Sequence, residues 1–461
     1  MLYFVVKEDF HSRRSRLTPP LSGRINHSMN TTQQMPRRTF LRRAGAATLG
    51  ATAALTAPNI YLSQVCAASG ESPNDSIRVG IIGVGGQGRS HLFAPSMIGH
   101  VQAICDVDSA HLASSKADFE KKAGRSVATY SDYRKMLENK DIDAVLISTP
   151  DHWHALNTID ACNAGKDVYV EKPLTLTIAE GFAMVKAARE NKRVVQTGSM
   201  QRSDAKFRFG CEIIRSGRIG DIKTVRVGLP GVNYSLANVP DSEPPAELDY
   251  DMWLGPAPKK PYNKNHVHYN FRFFWDYSGG QMTNWGAHHL DIAQWALGMD
   301  ESGPVEIEAR AEYDPQKRYE VPCWFEITYK YANGVKVLCG QSHRIGSTFE
   351  GQDGIVYMDR GKLESTVPDA LKQPLKSDEV HLIESKNHHQ NWFDCIKSRA
   401  KPICDVEIGH RSATVCHLGN LAVRLGRKIK WDPAKQEIIG DAEATRMMRY
   451  AYRTPWKFPE A

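Results

Sequence analysis

The sequence predicts an α/β protein of two domains: an N-terminal doubly wound parallel sheet, then a C-terminal α+β domain with an open, mainly antiparallel sheet. Three observations predict it. An apolar run from Ile77 to Ile82 passes directly into Gly83-x-Gly85-x-x-Gly88. Strand-like and helical stretches then alternate through residue 198. Beyond residue 200 the pattern turns to strands with partial period-2 alternation and short turns. At 461 residues the chain is too long for one small domain, and 41% hydrophobic with 24% charged residues suits two soluble cores. The expected division is a leader over 1–68, a first domain over 75–198 and a second over 199–461.

The leader accounts for the charge. Nine of the 59 Lys/Arg residues lie in residues 1–68, against only Glu8 and Asp9, which leaves 50 basic and 50 acidic residues in the remainder. The formal net charge of +7 is therefore a property of the leader, and the neutral body argues against nucleic acid as a partner. "PRRTFLRRAGAATLGATAALTAP" resembles a twin-arginine export signal, with Arg37-Arg38, then Phe40-Leu41 and an Ala-rich, weakly apolar run. Pro36 and Arg42 depart from that pattern. Small residues in "VCAASG" offer cleavage near Ala67 or Ala68, and Met29 or Met35 is a candidate start. An exported, periplasmic protein and the twin-arginine machinery as a partner are the expectations; an uncleaved signal acting as a membrane anchor is the alternative. Apart from Cys66, the eight cysteines show no C-x-x-C pair, so neither disulfides nor structural zinc are expected. Cys105, Cys323 and Cys339 sit in strand-like apolar runs and read as buried thiols.

The first domain opens on "SIRVGIIGVGGQGRSH", a strand, a glycine turn and a helix. That context converts a weak motif into the Rossmann dinucleotide fingerprint, in which Gly83, Gly85, Gln87 and Gly88 line a turn that lets backbone approach a pyrophosphate. Asp106 ends the next strand, "HVQAICDVD", 23 residues beyond Gly83. Its carboxylate suits the adenosine ribose hydroxyls and repels a 2′-phosphate, which predicts NAD as the cofactor. Asp108 better suits capping the helix that follows. The strands "DAVLIST", "DVYV" and "RVVQTG" follow, separated by helices expected over 154–165 and 177–191.

In the second domain "RSDAKFRFGCEIIRSG" reads as a helix, and "IKTVRVGLPG", "VEIEARAEY", "WFEITYKY" and "GVKVLCGQSHR" read as strands. Residues 231–278 are an irregular excursion whose end, "NFRFFWDYSGG", carries aromatics suited to a sugar ring; Arg272 suits either substrate hydroxyls or an ion pair. "GGQMTNWGAHHLDIAQWALG" (279–298) reads as a helix. At about 100° per residue, Asn284, His288, Asp291 and Trp295 fall within roughly 60° of one another. His289 points about 100° away and reads as a packing or supporting group. "VEIGHRSATVCHLGN" reads as a helix packing back on the body. The histidines His288, His289, His388 and His389 do not match a metal-ligand spacing, and no metal is expected.

Two further motifs make the reading specific. "ISTPDHWHA" and "VYVEKPLT" each follow a buried strand. Together with the fingerprint they resemble the glucose–fructose oxidoreductase / inositol dehydrogenase / rhizopine-catabolism (Gfo/Idh/MocA) family, from about residue 75 to "TPWKF". The resemblance implies that Lys172 of the E-K-P element reaches the reacting carbon. It implies that Ser148, Thr149, Pro150 and Glu171 border the cofactor, with His152 and His154 toward the nicotinamide; a helix-lining role for the two histidines stays open. In the family the second-domain helix carries Asp-x-Gly-x-His-x-x-Asp. Here His288 stands at the histidine position and is implied as the general base. The first position is Asn284, which can position a substrate hydroxyl or the imidazole but carries no charge. Asp291 falls either at the substrate or behind the site, orienting His288 or capping it.

The resemblance thus implies an NAD-dependent oxidoreductase acting on a secondary hydroxyl of a sugar, glycoside or polyol. Two alternatives stand beside it: a glycosidase-like cycle on tightly bound NAD, by transient oxidation and elimination, and a non-catalytic NAD-holding carbohydrate binder. A homodimer or homotetramer through the open sheet is expected.

Overall fold

The computed structural model describes residues 76–232 and 236–459. The leader, and with it the twin-arginine pattern and Cys66, lies outside the described residues. Among the described residues no helix is long and apolar enough to cross a membrane, and the eight cysteines are free.

The first sheet is built from β1 (Val79–Ile82), β2 (Val101–Cys105), β3 (Ala128–Tyr130), β4 (Ala144–Ile147), β5 (Asp167–Val170) and β6 (Val195–Thr197). It is parallel throughout, in the order β3-β2-β1-β4-β5-β6. Strands β1, β4 and β5 are buried on both faces, which is why they read as continuous apolar runs. The crossovers are α1 (Gln87–Leu92), α2 (Ser109–Ala123), α3 (Tyr133–Leu137), α4 (Asp151–Asn163) and α5 (Ile178–Glu190). The strand order reverses between β1 and β4, and this opens a crevice at their C-terminal ends.

In the second domain α6 (Ala205–Arg215) leads to β7 (Ile222–Gly228), and α7 (Tyr250–Leu254) is a short turn inside the excursion. The run 279–298 is not one helix. It is split into α8 (Gly280–Asn284) and α9 (Gly286–Ala296), because the backbone ladder is interrupted at Trp285. The strands β8 (Glu306–Glu312), β9 (Trp324–Lys330), β10 (Lys336–Gly340), β11 (Gly346–Gly351), β12 (Ile355–Asp359) and β13 (Lys362–Ser365) precede three helices. These are α10 (Pro368–Lys372), α11 (His388–Ser398) and α12 (Val406–Leu425); β14 (Ile429–Asp432), β15 (Glu437–Ile438) and α13 (Ala442–Arg446) follow. The nine-stranded sheet runs β13-β12-β11-β7-β10-β9-β8-β14-β15. It is antiparallel except where β7 and β10 pair parallel.

One face of this sheet packs on α6, α9 and α12 through Ile213, Leu290, Ile292, Val337, Phe349 and Leu418. Alternation along β9 follows from that, since Phe325, Ile327 and Tyr329 face the helices and their neighbours do not. The chain then returns to the first domain. Helix α11 inserts Trp392 and Phe393 into the same core as Val79, Ile81 and Ile104.

A buried ion cluster holds α9. Arg202, 1% exposed, forms a bidentate pair with Asp291 through Nε–Oδ2 (2.8 Å) and Nη2–Oδ1 (2.8 Å). It also donates to Asp300 Oδ1 (2.7 Å), and Ser412 Oγ on α12 donates to Asp291 Oδ1 (2.6 Å). Removing one partner strands the other charge in the core. Asp291→Ala is expected to cost about 3–5 kcal/mol in denaturant unfolding, whereas Arg344→Ala on the surface should leave the unfolding free energy within about 0.5 kcal/mol of the parent.

Candidate active site

The glycine turn after β1 lies against the turn after β4. Gly83 adopts φ +84°, and a Cβ there would stand 2.8 Å from the Ser148 carbonyl oxygen. At Gly88 a Cβ would meet the Gly83 carbonyl at 1.7 Å, so only glycine lets α1 start this close to the strand. Gln87 begins α1, whose N-cap is Gly86 and carries no side-chain cap. Asp106 stands at the end of β2, accepting from Val84 N at Oδ2 (2.8 Å) and from Asp108 N at Oδ1 (3.0 Å). Burial pushes its carboxyl upward against those two N–H groups. Asp108 caps α2 by accepting from Ala110 N and His111 N. Ser148 Oγ is buried with no hydrogen-bond partner. Close glycine backbone, an uncapped helix start, an unpartnered buried hydroxyl and a carboxylate at the second strand together fit a dinucleotide.

At the other end of the crevice the two domains meet at Lys172. Glu171, buried behind it, is opposed by burial, yet the His91 hydrogen bond at 2.8 Å and the charges of His91 and Lys172 hold its carboxyl below the usual range. Lys172 Nζ donates to the Asn284 carbonyl oxygen (3.0 Å) and to Asn284 Oδ1 (3.1 Å). The helix break makes this possible: His288 N donates to Trp285 O, so the Asn284 carbonyl is turned toward the lysine. Burial lowers the Lys172 pKa to about 8, with Glu171 opposing and Arg272 and Arg360 adding to the drop. His288 is held well below the usual histidine range by burial, then by the charges of Lys172 and Arg360, and its Nδ1 has no partner. Asn284 Nδ2 in turn donates to Gln281 Oε1 (3.1 Å).

The other expected residues divide. Thr149 Oγ1 donates to Asn157 Oδ1, and Pro150 is the N-cap of α4. His154 bridges Pro173 O (2.8 Å) and Thr149 O (2.9 Å), so it pins the two strand-end turns together. His152 donates through Nε2 to Trp253 O, and burial lowers its pKa to about 4. Both rings therefore satisfy main-chain carbonyls. Arg272 lies over Tyr269 and Phe271 and donates to Tyr269 O (2.7 Å). Asp291 is a correction to the sequence expectation: its carboxylate is taken up by Arg202 and Ser412 behind the site, so it does not face a substrate. His289 stacks on Trp285 in the interior, as its wheel position implies.

Two groups escaped the sequence reading. Arg360, between β12 and β13, stands over the Trp285 ring (4.8 Å) and bears on both Lys172 and His288. No local motif marks it, because pairing of β12 with β13 brings it there. Asp151 directly follows the Thr-Pro turn, which was its only signal. It is buried, accepts from Ser278 Oγ (2.5 Å), and burial raises its pKa.

The fold and crevice are those of a dinucleotide-binding protein. Residues 77–199 match the family model "Oxidoreductase family, NAD-binding Rossmann fold", and residues 214–458 match "Oxidoreductase family, C-terminal alpha/beta domain". The chain belongs to the Gfo/Idh/MocA oxidoreductase family, and its first domain is that family's NAD-binding domain. It is 37% identical over 172 residues to a glycosyl hydrolase family 109 protein of Shewanella baltica, covering 34% of this chain and 38% of that protein. It is 33% identical over 193 residues to an inositol 2-dehydrogenase of Salmonella typhimurium, covering 39% and 54%. The chain thus matches less than two thirds of these relatives' length. Among solved structures it resembles the WlbA dehydrogenase of Bordetella pertussis, in complex with NADH and UDP-GlcNAcA, with TM-score 0.58, 18% identity and coverage of 77% and 99%. The aldose–aldose oxidoreductase of Caulobacter crescentus gives TM-score 0.57, 20% identity and coverage of 77% and 99%. These two likenesses are likenesses of fold.

A carboxylate in place of the Asn284 amide would favour the charged lysine. Asn284→Asp is therefore expected to raise the Lys172 pKa by about 1 unit or more, read directly by NMR titration of the labelled lysine; an unchanged or lower value would mean the two side chains do not interact in solution.

Proposed function

We propose that the protein is an NAD-dependent oxidoreductase acting on a secondary hydroxyl of a sugar, glycoside or polyol. The observation that carries this reading is Lys172, a half-buried amine with a pKa near 8 at the crevice where the cofactor-binding edge meets the second domain. NAD held in the crevice supplies a two-electron acceptor for the carbon-bound hydrogen. The chain's own task is the proton. Lys172, poised between its two forms near neutral pH, accepts the hydroxyl proton at Nζ in oxidation and returns it to the developing alkoxide in reduction. His288, neutral because burial and two cations depress it, is the second acceptor. Asn284 orients the ammonium by accepting from it and adds no charge. Exposed Tyr269, with the Arg272 guanidinium over its ring, supplies a face for a sugar ring and its hydroxyls, while Phe271, Phe273 and Phe274 of the same run are taken up in the core beneath.

A second reading rests on the resemblance to glycosyl hydrolase family 109 proteins and to an alpha-N-acetylgalactosaminidase of Shewanella oneidensis, 36% identical over 172 residues. In it the hydroxyl would be oxidised transiently and the neighbouring C–H, made acidic, would lose its proton as the glycosidic C–O bond breaks and the leaving alkoxide is protonated. Water would then add across the resulting double bond at the anomeric carbon, and re-reduction of the ketone would restore the starting cofactor. Solvent deuterium entering the carbon beside the oxidised one marks this cycle, whereas accumulation of a keto product with NADH marks simple oxidation.

Export by the twin-arginine route belongs to the same proposal, on the strength of Arg37-Arg38 and Phe40-Leu41. That route carries folded proteins with their cofactor, and free NAD is scarce outside the cytoplasm, so a closed redox cycle on retained NAD suits it. Association of copies through the exposed face of the second sheet is proposed with it.

Lys172→Met is expected to keep its NAD and lose turnover by at least about 10²-fold, with NAD measured by mass and absorbance after denaturation. For the parent, the rate of oxidation should rise with pH through about 8 as Lys172 loses its proton, then level off. Retained turnover in the Met variant, or a rate that falls over this range, would remove Lys172 from the role.

A further inference from the structure

The excursion of the second domain reaches the far end of the crevice. Ser109 N donates to Glu247 O (2.8 Å) and Asp249 N donates to Val107 O (3.0 Å), so residues 247–249 pair with the loop that follows β2. Val107 packs into the excursion's aromatic cluster with Leu248, Trp253 and Phe271. At the same place His268 Nε2 stands 3.1 Å from Asp108 Oδ2, and its ring centroid is 4.4 Å from that of His111. His111 is itself 3.9 Å from Asp106 Oδ2 and lies on Gly85, where a Cβ would stand 2.7 Å from its Nδ1.

These distances order the groups outward from the turn: Gly85 and Asp106, then His111, then His268. Asp108 Oδ1 is occupied by the α2 N–H groups, which leaves Oδ2 to hold His268 in position. Burial and the neighbouring His111 lower the His268 pKa, so at neutral pH the two imidazoles stand together without mutual repulsion.

We propose that His268, with His111, forms the outer wall of the seat for the adenosine half of NAD. The cofactor is then enclosed by both domains, and residues 247–268 must lift from the β2 loop before it leaves. The two rings are tilted 53° to one another and each stays partly exposed, so one imidazole face suits stacking on a flat purine while the other ring borders its edge. An edge supplied by a second domain slows dissociation more than it changes association. This inference rests on the reading of NAD as the resident cofactor. It assigns to the second domain a part in cofactor binding that is separate from the site at Lys172.

The test uses the full-length protein loaded with radiolabelled NAD and chased with excess unlabelled NAD. His268→Ala and His111→Ala are each expected to release label at least about tenfold faster than the parent, with unchanged circular dichroism and melting of the nucleotide-free protein. Equal release rates in parent and variants would overturn the wall. Asp108, His111 and His268 have the makings of a cation site, with ligand atoms within 4.8 Å of one another. Acceleration of release from the parent by a chelator would therefore overturn direct contact in favour of a metal. A parent that takes up no NAD at all would instead overturn the cofactor reading itself.

Discussion

The site depends on one junction, the pair of hydrogen bonds from Lys172 Nζ to the carbonyl and side-chain oxygens of Asn284. It joins the loop after β5 to the break between α8 and α9, two places that share no local sequence. An ammonium in this position is partly stripped of water and faces Arg272 and Arg360, which together lower its pKa despite Glu171 beside it. Two neutral oxygens partly offset that without ion pairing. The arrangement keeps the amine near its titration point, where either protonation state is accessible at little free-energy cost.

That junction is only as good as the position of α9. The Arg202–Asp291 pair fastens the helix from behind, with Asp300 and Ser412 filling the remaining acceptor and donor capacity. Lys172 is fastened from the other side. Glu171 accepts from His91 and from the Lys172 backbone, and His91 is linked to His389 of α11 at 2.9 Å. The C-terminal tail adds a third tie, as Tyr452 OH donates to Glu180 at the start of α5 and Arg453 N donates to Pro256 O. Both domains are thus braced across the crevice by buried polar contacts.

The replacement of the family's aspartate by Asn284 fits this picture. A carboxylate would hold Lys172 protonated through a direct ion pair, whereas the amide accepts the same hydrogen bond with no net charge. The burden of balancing the lysine passes to Glu171, one residue away and held ionised by its own partners. His288, kept neutral, stands in the same field of cations.

What was legible in the sequence is what short-range chemistry dictates. The buried strands β1, β4 and β5 announced themselves as apolar runs, the glycines followed from the requirements of a close backbone turn, and Asp106 from its place at the end of the second strand. Lys172 and His288 were marked by motif. A helical wheel, however, treats 279–298 as one rod, and so it grouped Asn284, His288 and Asp291 on a single face. The break at Trp285 sends Asn284 to the lysine, while Asp291 meets Arg202, 89 residues away in the chain. Arg360, His111 with His268, and the insertion of Trp392 into the first core are of the same kind. Each depends on a partner distant in sequence, and burial and charge pairing act on distance in space. The sequence by itself determined the elements and the chemistry at strand ends; tertiary packing decided which charges meet, and so which of the expected residues face the crevice.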